Sequence, residues 1–320
     1  MGKTSRVKAR TAAAYPAPVG TGTGPRQPCP CGSGRRYRAC HGSVSGPPPV
    51  YVARPFEGLP SECDLIAMRE IIPAATAPVT LRDGVADEDR SVQLCSLLPM
   101  AAPAISRADG CVWLGLQVQH GFGDPSRDLA AVLLKALASE PGAGVVGLTD
   151  APGEGPRLQD LLADEPLEVT VHEGFDYWVA DVDDPSGQTA ASLESANAAV
   201  NPSSRLSSVE AAYWTDVATR EHLRWVMPYD EEPLLDALAR LHVAGRDTVA
   251  DGSRFVGMFR AHGRLVPVWD LPSGTGAAVL EEPAARFGRE LEETLAQPRT
   301  LTADERAARS GLANRQLTIR

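Results

Sequence analysis

The sequence predicts an α+β fold with two similar β-α-β-β-α lobes, because two successive series of elements follow the same order. In each series a strand precedes an amphipathic helix, a β-hairpin with antiparallel strands, and a second helix. Each series also contains a similar turn-rich phrase, Asp183-Asp184-Pro185-Ser186-Gly187 in the first and Asp270-Leu271-Pro272-Ser273-Gly274 in the second. We interpret the repetition as an internal duplication, or else as a chance similarity between two turns.

The first lobe opens with a strand and a helix. Cys111–Val118 is rich in apolar and β-branched residues, which favours a strand. Asp124 then provides an N-cap and Pro125 a first helical residue that needs no N–H partner. The helix that they begin places apolar residues at helical spacing on one face: Leu129, Val132, Leu133, Ala136 and Leu137.

A hairpin and a second helix are predicted to complete the first lobe. Residues 167–171 alternate between apolar and polar side chains, which is typical of a half-buried strand. The turn residues Glu173-Gly174 follow and predict a hairpin with Phe175–Asp181 as its second strand. Thr189–Val200 is then a candidate helix.

The second lobe repeats this order. His222–Met227 is predicted to be a strand, and Asp230 to cap a helix whose apolar face carries Leu234, Ala237, Leu238 and Leu241. Ser253–Arg260 and Arg264–Trp269 are predicted to form a hairpin across His262-Gly263. The following helix is predicted over Ala277–Leu295.

Changes in composition divide the chain into five segments. Gly46-Pro47-Pro48-Pro49 marks one boundary, since consecutive prolines continue neither a helix nor a central strand. Near the end of the chain, Thr302-Ala303-Asp304-Glu305 has the form of a helix capping box. The predicted segments are a disordered basic arm (1–26), a cysteine knuckle (27–45), the first lobe (50–200), the second lobe (201–300), and a C-terminal helix and tail (301–320).

Charge is unevenly distributed along the chain. The net charge is −10, yet residues 1–45 hold eight basic residues and no acidic ones. Such an arm either contacts an anionic partner or is a solvated tail without one. No apolar run reaches the roughly 18 residues of a membrane helix, and no secretory signal is found, so we expect a cytoplasmic protein without a membrane segment. The oligomeric state does not follow from the sequence.

The knuckle segment 28–42 reads PCPCGSGRRYRACHG and contains a set of metal-ligand residues. These are Cys29, Cys31, Cys40 and His41. Three thiolates and one imidazole suit a closed tetrahedral Zn²⁺ site, whose four protein ligands leave no position for a catalytic water. We therefore predict one structural zinc ion, which would supply most of the folding free energy of so short a segment. The alternative is a loop that carries three cysteines by chance.

The same residues resemble the SEC-C motif, a zinc module of the form C-x-C-x₈-C-[CH]. Its usual wording, C-P-C-G-S-G-K-K-Y-K-x-C-H-G, is matched with Arg at each Lys position. The resemblance implies an interaction module that docks on a protein, ribosome or RNA partner. The body, with Arg69-Glu70-Ile71-Ile72-Pro73-Ala74-Ala75 after the knuckle, is similar to an uncharacterised actinobacterial family that carries SEC-C. A translocase ATPase is excluded, since Gly2-Lys3-Thr4 lacks the strand and loop of a Walker A motif.

Two other functions are alternatives to docking. In the first alternative, the body is an enzyme of unrecognised type, with a cleft between its lobes and with the knuckle as a targeting tag. In the second it is a dimerising scaffold. The sequence contains no catalytic signature, and we predict structural or surface roles for the scattered histidines His120, His172, His222, His242 and His262. Cys63, Cys95 and Cys111 have apolar neighbours and are predicted to be buried as small hydrophobes.

Overall fold

Two β-sheets and seven α-helices account for the regular structure in the described part of the chain. The computed structural model describes Arg36 and residues 51–119, 121–179, 188–297 and 299–315. The predicted α+β class is confirmed, because helices and mostly antiparallel strands both contribute to the body. Tyr51–Arg320 forms one compact unit.

The first sheet contains one parallel pair of strands. Its elements are α1 (Glu62–Glu70), β1 (Ala75–Val79), β2 (Val92–Cys95), β3 (Ala104–Ser106), β4 (Val112–Gly115), α2 (Pro125–Leu137), β5 (Gly144–Val146), α3 (Leu158–Leu161) and β6 (Thr170–Val171). The strand order is β5-β3-β4-β2-β1-β6. β2 and β4 are parallel, and the other neighbours are antiparallel. The loops after β2 and β4 therefore leave the sheet at the same edge.

The second sheet is antiparallel throughout. Its elements are α4 (Gln188–Asn197), β7 (Ser203–Arg205), β8 (Ala212–Asp216), β9 (Glu221–Trp225), α5 (Glu231–Val243), β10 (Arg254–Ala261), β11 (Arg264–Leu271), α6 (Ala277–Leu295) and α7 (Ala303–Asn314). The strand order is β10-β11-β9-β8-β7. Side chains of α5, α6 and α7 form a core with one face of this sheet, including Leu238, Trp269, Phe287, Leu291 and Leu312.

The two helices predicted from apolar periodicity are confirmed. In α2 the predicted face is buried at Leu129, Val132, Leu133 and Ala136. In α5 it is buried at Leu234, Ala237, Leu238 and Leu241. A stripe at helical spacing can be buried only against a neighbouring layer, so each helix covers one sheet.

The hairpin predicted across His262-Gly263 is confirmed as the connection of β10 and β11. Both turn residues have positive φ, 47° for His262 and 82° for Gly263, as a type I′ turn requires. A Cβ atom at Gly263 would lie 2.8 Å from the Cβ of Arg54. The turn therefore needs glycine for its backbone conformation and for the close approach of the neighbouring chain.

The hairpin predicted for the first lobe is wrong. Thr170 and Val171 pair with β1 instead, and Asp176–Trp178 is a 3₁₀ turn. The aromatic rings there find tertiary partners: Phe175 stacks on Trp178 at 4.0 Å, and the Trp178 indole N–H donates to the Leu97 carbonyl. These contacts compete with strand pairing, which the local alternation of residues 167–171 does not reveal.

The lobes differ in sheet order and in strand direction. The duplication stays a prediction, because residues 181–187, with the first of the two turn phrases, lie outside the described residues. In the second phrase, the turn at Gly274 donates backbone N–H groups to the buried Glu221 carboxylate, and Gly276 donates to the same group at 2.8 Å. This turn thus joins β9 to the start of α6.

Helix α1 lies between the two sheets. Seven consecutive residues, Glu62–Met68, are buried, so no side of the central part of the helix faces solvent. One apolar cluster includes Ile66 of α1, Leu114 of β4 and Val266 of β11. The two sheets therefore share a core through α1, although each also has contacts of its own.

Candidate functional site

The four predicted zinc ligands, Cys29, Cys31, Cys40 and His41, lie outside the described residues. Arg36 alone is described within the knuckle, as an exposed residue in an isolated β-bridge. Among described residues, no three His, Cys, Asp or Glu side chains converge as metal ligands. The donor set itself fits Zn²⁺, since thiolate and imidazole are its preferred structural ligands. Zinc binding stays a prediction at this point.

An ion cluster joins α1 to the second sheet at Asp64. Asp64 is 2% exposed and accepts two hydrogen bonds from Arg205, from Nε at 3.0 Å and from Nη2 at 2.9 Å. The Tyr213 hydroxyl donates to the same carboxylate at 2.7 Å. The bond to Asp64 raises the pKa of the Arg205 guanidinium, and burial raises the pKa of Tyr213. Both partners therefore stay protonated and donate hydrogen bonds to the Asp64 carboxylate.

A second buried carboxylate, Glu62, lies two residues nearer the start of the helix. Arg54 donates to both of its oxygens at 2.7 Å, and Arg264 donates to Oε2 at 3.0 Å. Burial raises the pKa of Glu62, while Arg54 opposes the shift. Two guanidinium groups thus surround one carboxylate, with Asp230 within 4.0 Å of both.

The contact between the sheets is filled around α1. Acidic and basic side chains do converge there, but each carboxylate is buried and paired with arginine or tyrosine. Side chains so engaged have no free position for a substrate. This part of the described structure therefore offers no cleft of the kind that the enzyme hypothesis requires.

The described histidines are held by neighbouring side chains. His172 is 2.9 Å from Thr76 Oγ1, His242 is 2.6 Å from Asp247, and His262 is 2.7 Å from Glu70. Nδ1 of His222 lies 3.1 Å from Asp270. These partners fit the predicted structural roles. His120 lies outside the described residues.

Two of the three cysteines in the body are buried as predicted. Cys63 is 2% exposed and Cys95 is fully buried. Burial raises the pKa of both thiols, so neither forms a reactive thiolate near neutral pH. Cys111 is partly exposed.

A cavity of about 390 Å³ lies beside the first sheet. It is bordered by the loop after β2, the loop after β4, and the first turns of α2. Its walls are mainly apolar and include Met100, Phe122, Leu129, Val132, Val145 and Leu148. Crevices beyond the carboxyl ends of parallel strands are frequent ligand sites in α/β proteins. This cavity is the candidate binding site of the body.

Arg69 and Asp128 are the charged groups that line this cavity. Nε of Arg69 lies 3.4 Å from Glu70, and Nη1 donates to the Leu116 carbonyl. Asp128 is 9% exposed and accepts a hydrogen bond from the Phe122 N–H at 2.7 Å. Burial lowers the pKa of Arg69 and raises that of Asp128. The two opposite charges attract each other at the edge of an apolar space.

Two parts of the chain match known sequence families. Residues 55–320 match a family of unknown function, DUF5926. The chain belongs to this family. Residues 26–43 match the SEC-C motif. No curated protein and no solved structure matches the chain.

These matches confirm the resemblance to SEC-C and the assignment of the body to an uncharacterised family. The two matches cover different parts of the chain. The SEC-C match covers all four predicted zinc ligands, while the DUF5926 match covers the cavity and, except for Arg54, the ion clusters. The SEC-C match therefore supports inferences about the knuckle alone. Inferences about the cavity depend on the geometry of the DUF5926 body.

Sequence reasoning did not find Arg69 or Asp128 as site residues. Arg69 follows the apolar run of α1, and Asp128 lies beside the apolar stripe of α2. A charged side chain next to a buried stretch is a weak signal of a polar group in a cavity. The approach of α1, α2 and two loops decides the site, and it depends on the tertiary fold.

No helix of the described part of the DUF5926 body combines the length and the apolar run that a bilayer crossing requires.

Proposed function

We propose that this protein is a zinc-dependent docking protein of the cytoplasm. One structural Zn²⁺ is held by Cys29, Cys31, Cys40 and His41, and the ordered knuckle binds a protein, ribosome or RNA partner. The observation that supports this proposal is the SEC-C match over residues 26–43. When bound, the ion supplies the folding free energy of the knuckle and takes no part in a reaction.

The charge of the N-terminal segment favours an anionic partner. Residues 1–45 carry eight basic residues and no acidic ones, in a chain with a net charge of −10. Arg35, Arg36 and Arg38 lie between the two pairs of predicted ligands. Folding of the knuckle would concentrate these guanidinium groups on a small surface, which suits phosphates or a carboxylate-rich protein.

Zinc content tests the first half of the proposal. We expect about one zinc per chain in the freshly reduced full-length protein and its loss in Cys40→Ser. Cys111→Ser is the matched control, because Cys111 is a cysteine of the body, outside the SEC-C match. A wild-type protein without zinc, or equal zinc in Cys40→Ser, would contradict the knuckle.

Cosedimentation with ribosomes and with RNA tests the second half. Binding through the arginines should weaken steeply as salt increases, since each phosphate contact releases counterions. Replacing Arg35, Arg36 and Arg38 by alanine should flatten that dependence, and Cys40→Ser should weaken binding. Binding that does not change with salt concentration would favour a protein partner. The absence of binding would exclude a ribosome or RNA as the partner.

The enzyme alternative has no comparable support. It depended on a cleft between the lobes, and the described contact around α1 is filled by Glu62, Asp64 and their paired partners. We therefore propose no reaction for this region.

A further inference from the structure

The cavity beside α2 has the features of a small-molecule site. Its volume of about 390 Å³ lies in the usual size range of ligand pockets. It opens where the loops after the parallel strands β2 and β4 meet the start of α2. Position and size thus suit one small ligand, and they are independent of the zinc knuckle.

The rim of the cavity exposes apolar side chains to solvent. Met100 is 94% exposed and Val145 is 69% exposed, and both line the cavity. Met100 and Ala101 also have positive φ values, 57° and 53°, which non-glycine residues adopt infrequently. A loop held in this conformation presents apolar surface that a bound apolar group would cover.

Two polar groups at the cavity retain hydrogen-bonding capacity. Among the described residues, Arg69 donates a hydrogen bond from Nη1 to the Leu116 carbonyl, while its buried Nε has no hydrogen-bond partner, although Glu70 lies 3.4 Å away. Oδ1 of Asp128 likewise has none, because the Phe122 N–H binds Oδ2. The cavity therefore offers one cationic donor and one anionic acceptor within apolar walls.

This combination selects the charge of the ligand. A ligand with only a negative charge would be attracted by Arg69 and repelled by Asp128. A ligand with only a positive charge would be attracted by Asp128 and repelled by Arg69. A molecule with both charges at one end and an apolar group at the other would complement all three surfaces. Glu70 lies 3.4 Å from Nε of Arg69 but does not line the cavity.

We propose that this cavity binds an apolar α-amino acid. Its carboxylate accepts from Arg69, its ammonium group donates to Asp128, and its side chain lies among Met100, Phe122 and Val132. The ligand head would use the two groups left free, and its side chain would cover the apolar rim.

Calorimetric titration of the full chain with three small molecules tests the proposal. L-leucine carries both head groups, 4-methylpentanoate lacks the ammonium group, and 3-methylbutylamine lacks the carboxylate. We expect L-leucine to bind at least tenfold more tightly, roughly, than either analogue, because each analogue leaves one charged group of the cavity without a partner. Equal binding of the three, or no binding of any, would overturn the proposal.

Substitutions at the cavity locate the binding. Asp128→Asn keeps an oxygen acceptor for the Phe122 N–H but removes the negative charge. It should therefore weaken the affinity for L-leucine by about tenfold and raise the affinity for 4-methylpentanoate. Wild-type affinity in a folded Asp128→Asn protein would refute the role of Asp128. A thermal melt of each variant establishes that it is folded.

A rim variant gives an independent test. Val145→Asp places a charge on the apolar rim and should weaken L-leucine several-fold. Val279→Asp is the matched control, because Val279 is 62% exposed, lies on α6, and does not line this cavity. Loss of affinity in Val145→Asp alone supports the site, and an equal effect in both variants places the binding elsewhere.

Discussion

At the residue scale, two carboxylates on α1 connect this helix to the second sheet. Asp64 and Glu62 are 2% and 6% exposed, and their partners Arg205, Tyr213 and Arg264 come from the second sheet. Buried ions cost solvation free energy, so such pairs contribute more to a specific arrangement than to net stability. Removing one member alone is costly, because the other stays buried without a partner.

Asp64→Asn should lower the free energy of unfolding by about 3 kcal/mol, since it leaves Arg205 without its buried counter-charge. Chemical denaturation monitored by circular dichroism measures the change. Asp251→Asn is the control, because Asp251 is exposed and should change stability by less than about 0.5 kcal/mol. Similar effects of both substitutions would show that the ion cluster does not hold α1.

Glu281 provides a pH-dependent contact between α6 and the segment after β7. Its carboxylate accepts the backbone N–H of Ser207 at 2.9 Å and that of Ser208 at 2.8 Å. Burial opposes ionisation, but these bonds and the serine hydroxyls outweigh it and lower the pKa of Glu281 to about 2. Because the folded pKa is depressed, this contribution is present above the unfolded pKa and is lost as pH falls towards 2.

Glu281→Gln should therefore destabilise the protein by about 1 kcal/mol at neutral pH, a value reduced for solvent screening. The difference from wild type should shrink between about pH 4.5 and 2. Denaturant midpoints across this range measure it. Glu282→Gln is the matched control, with a side chain that is 74% exposed. A difference that stays constant with pH would contradict the assigned cause.

At the element scale, the ends of α7 and α2 show how local signals act. The predicted capping box of α7 is confirmed: Thr302 Oγ1 accepts from the Glu305 N–H at 3.3 Å, and Glu305 accepts from the Thr302 N–H at 2.8 Å. At α2, by contrast, Asp124 makes no cap hydrogen bond with its side chain and instead pairs with Arg157 at 3.0 Å. A residue at an N-cap position can thus pair with a distant side chain instead of capping its helix.

Thr302→Ala should cost about 1 kcal/mol of unfolding free energy, the usual effect of losing a helix N-cap. Thr300→Ala is a suitable comparison, since Thr300 is also exposed and precedes the cap by two residues. Urea denaturation of both variants measures the effect. Equal stabilities would show that the capping box contributes nothing to α7.

At the scale of the whole molecule, the two sheets are parts of one folding unit. Their common apolar cluster includes Ile66 of α1, Leu114 of β4 and Val266 of β11. Separate domains would open independently, whereas elements that share a core open together.

Amides in β4 and β11 should therefore exchange with solvent through the same global opening, as measured by hydrogen exchange and mass spectrometry. Asp64→Asn should accelerate exchange in both strands by a similar factor. Acceleration in β11 alone would mean that the second sheet unfolds by itself. The control is again Asp251→Asn, for which we expect no change in either strand.

Elements with strong local patterns could be predicted from the sequence. The helices α2 and α5 follow from apolar stripes, α7 from its capping box, and the β10–β11 hairpin from alternation around His262-Gly263. The spacing of Cys29, Cys31, Cys40 and His41 likewise identified a SEC-C match without any structure. In each case neighbouring residues carry the whole signal.

The remaining elements depended on distant contacts. Helix α1 is buried at seven successive residues and so lacks an amphipathic period, and strands such as β3, β5 and β6 have three residues or fewer. The segment Phe175–Trp178, where a hairpin was wrongly predicted, shows the same effect. The Phe175 and Trp178 rings stack on each other, and the Trp178 indole N–H donates to the Leu97 carbonyl. Short segments have too little local preference to resist such contacts.

The sequence by itself determined the class of the fold, several well-patterned elements and the SEC-C resemblance of residues 26–43, because each depends on the periodicity or spacing of near neighbours. The tertiary structure alone decided that α1 joins the sheets and that Arg69 and Asp128 face one cavity. Those two residues are 59 positions apart in the chain. Only the packing of α1 and α2 on one sheet brings them together, and no local pattern records that packing.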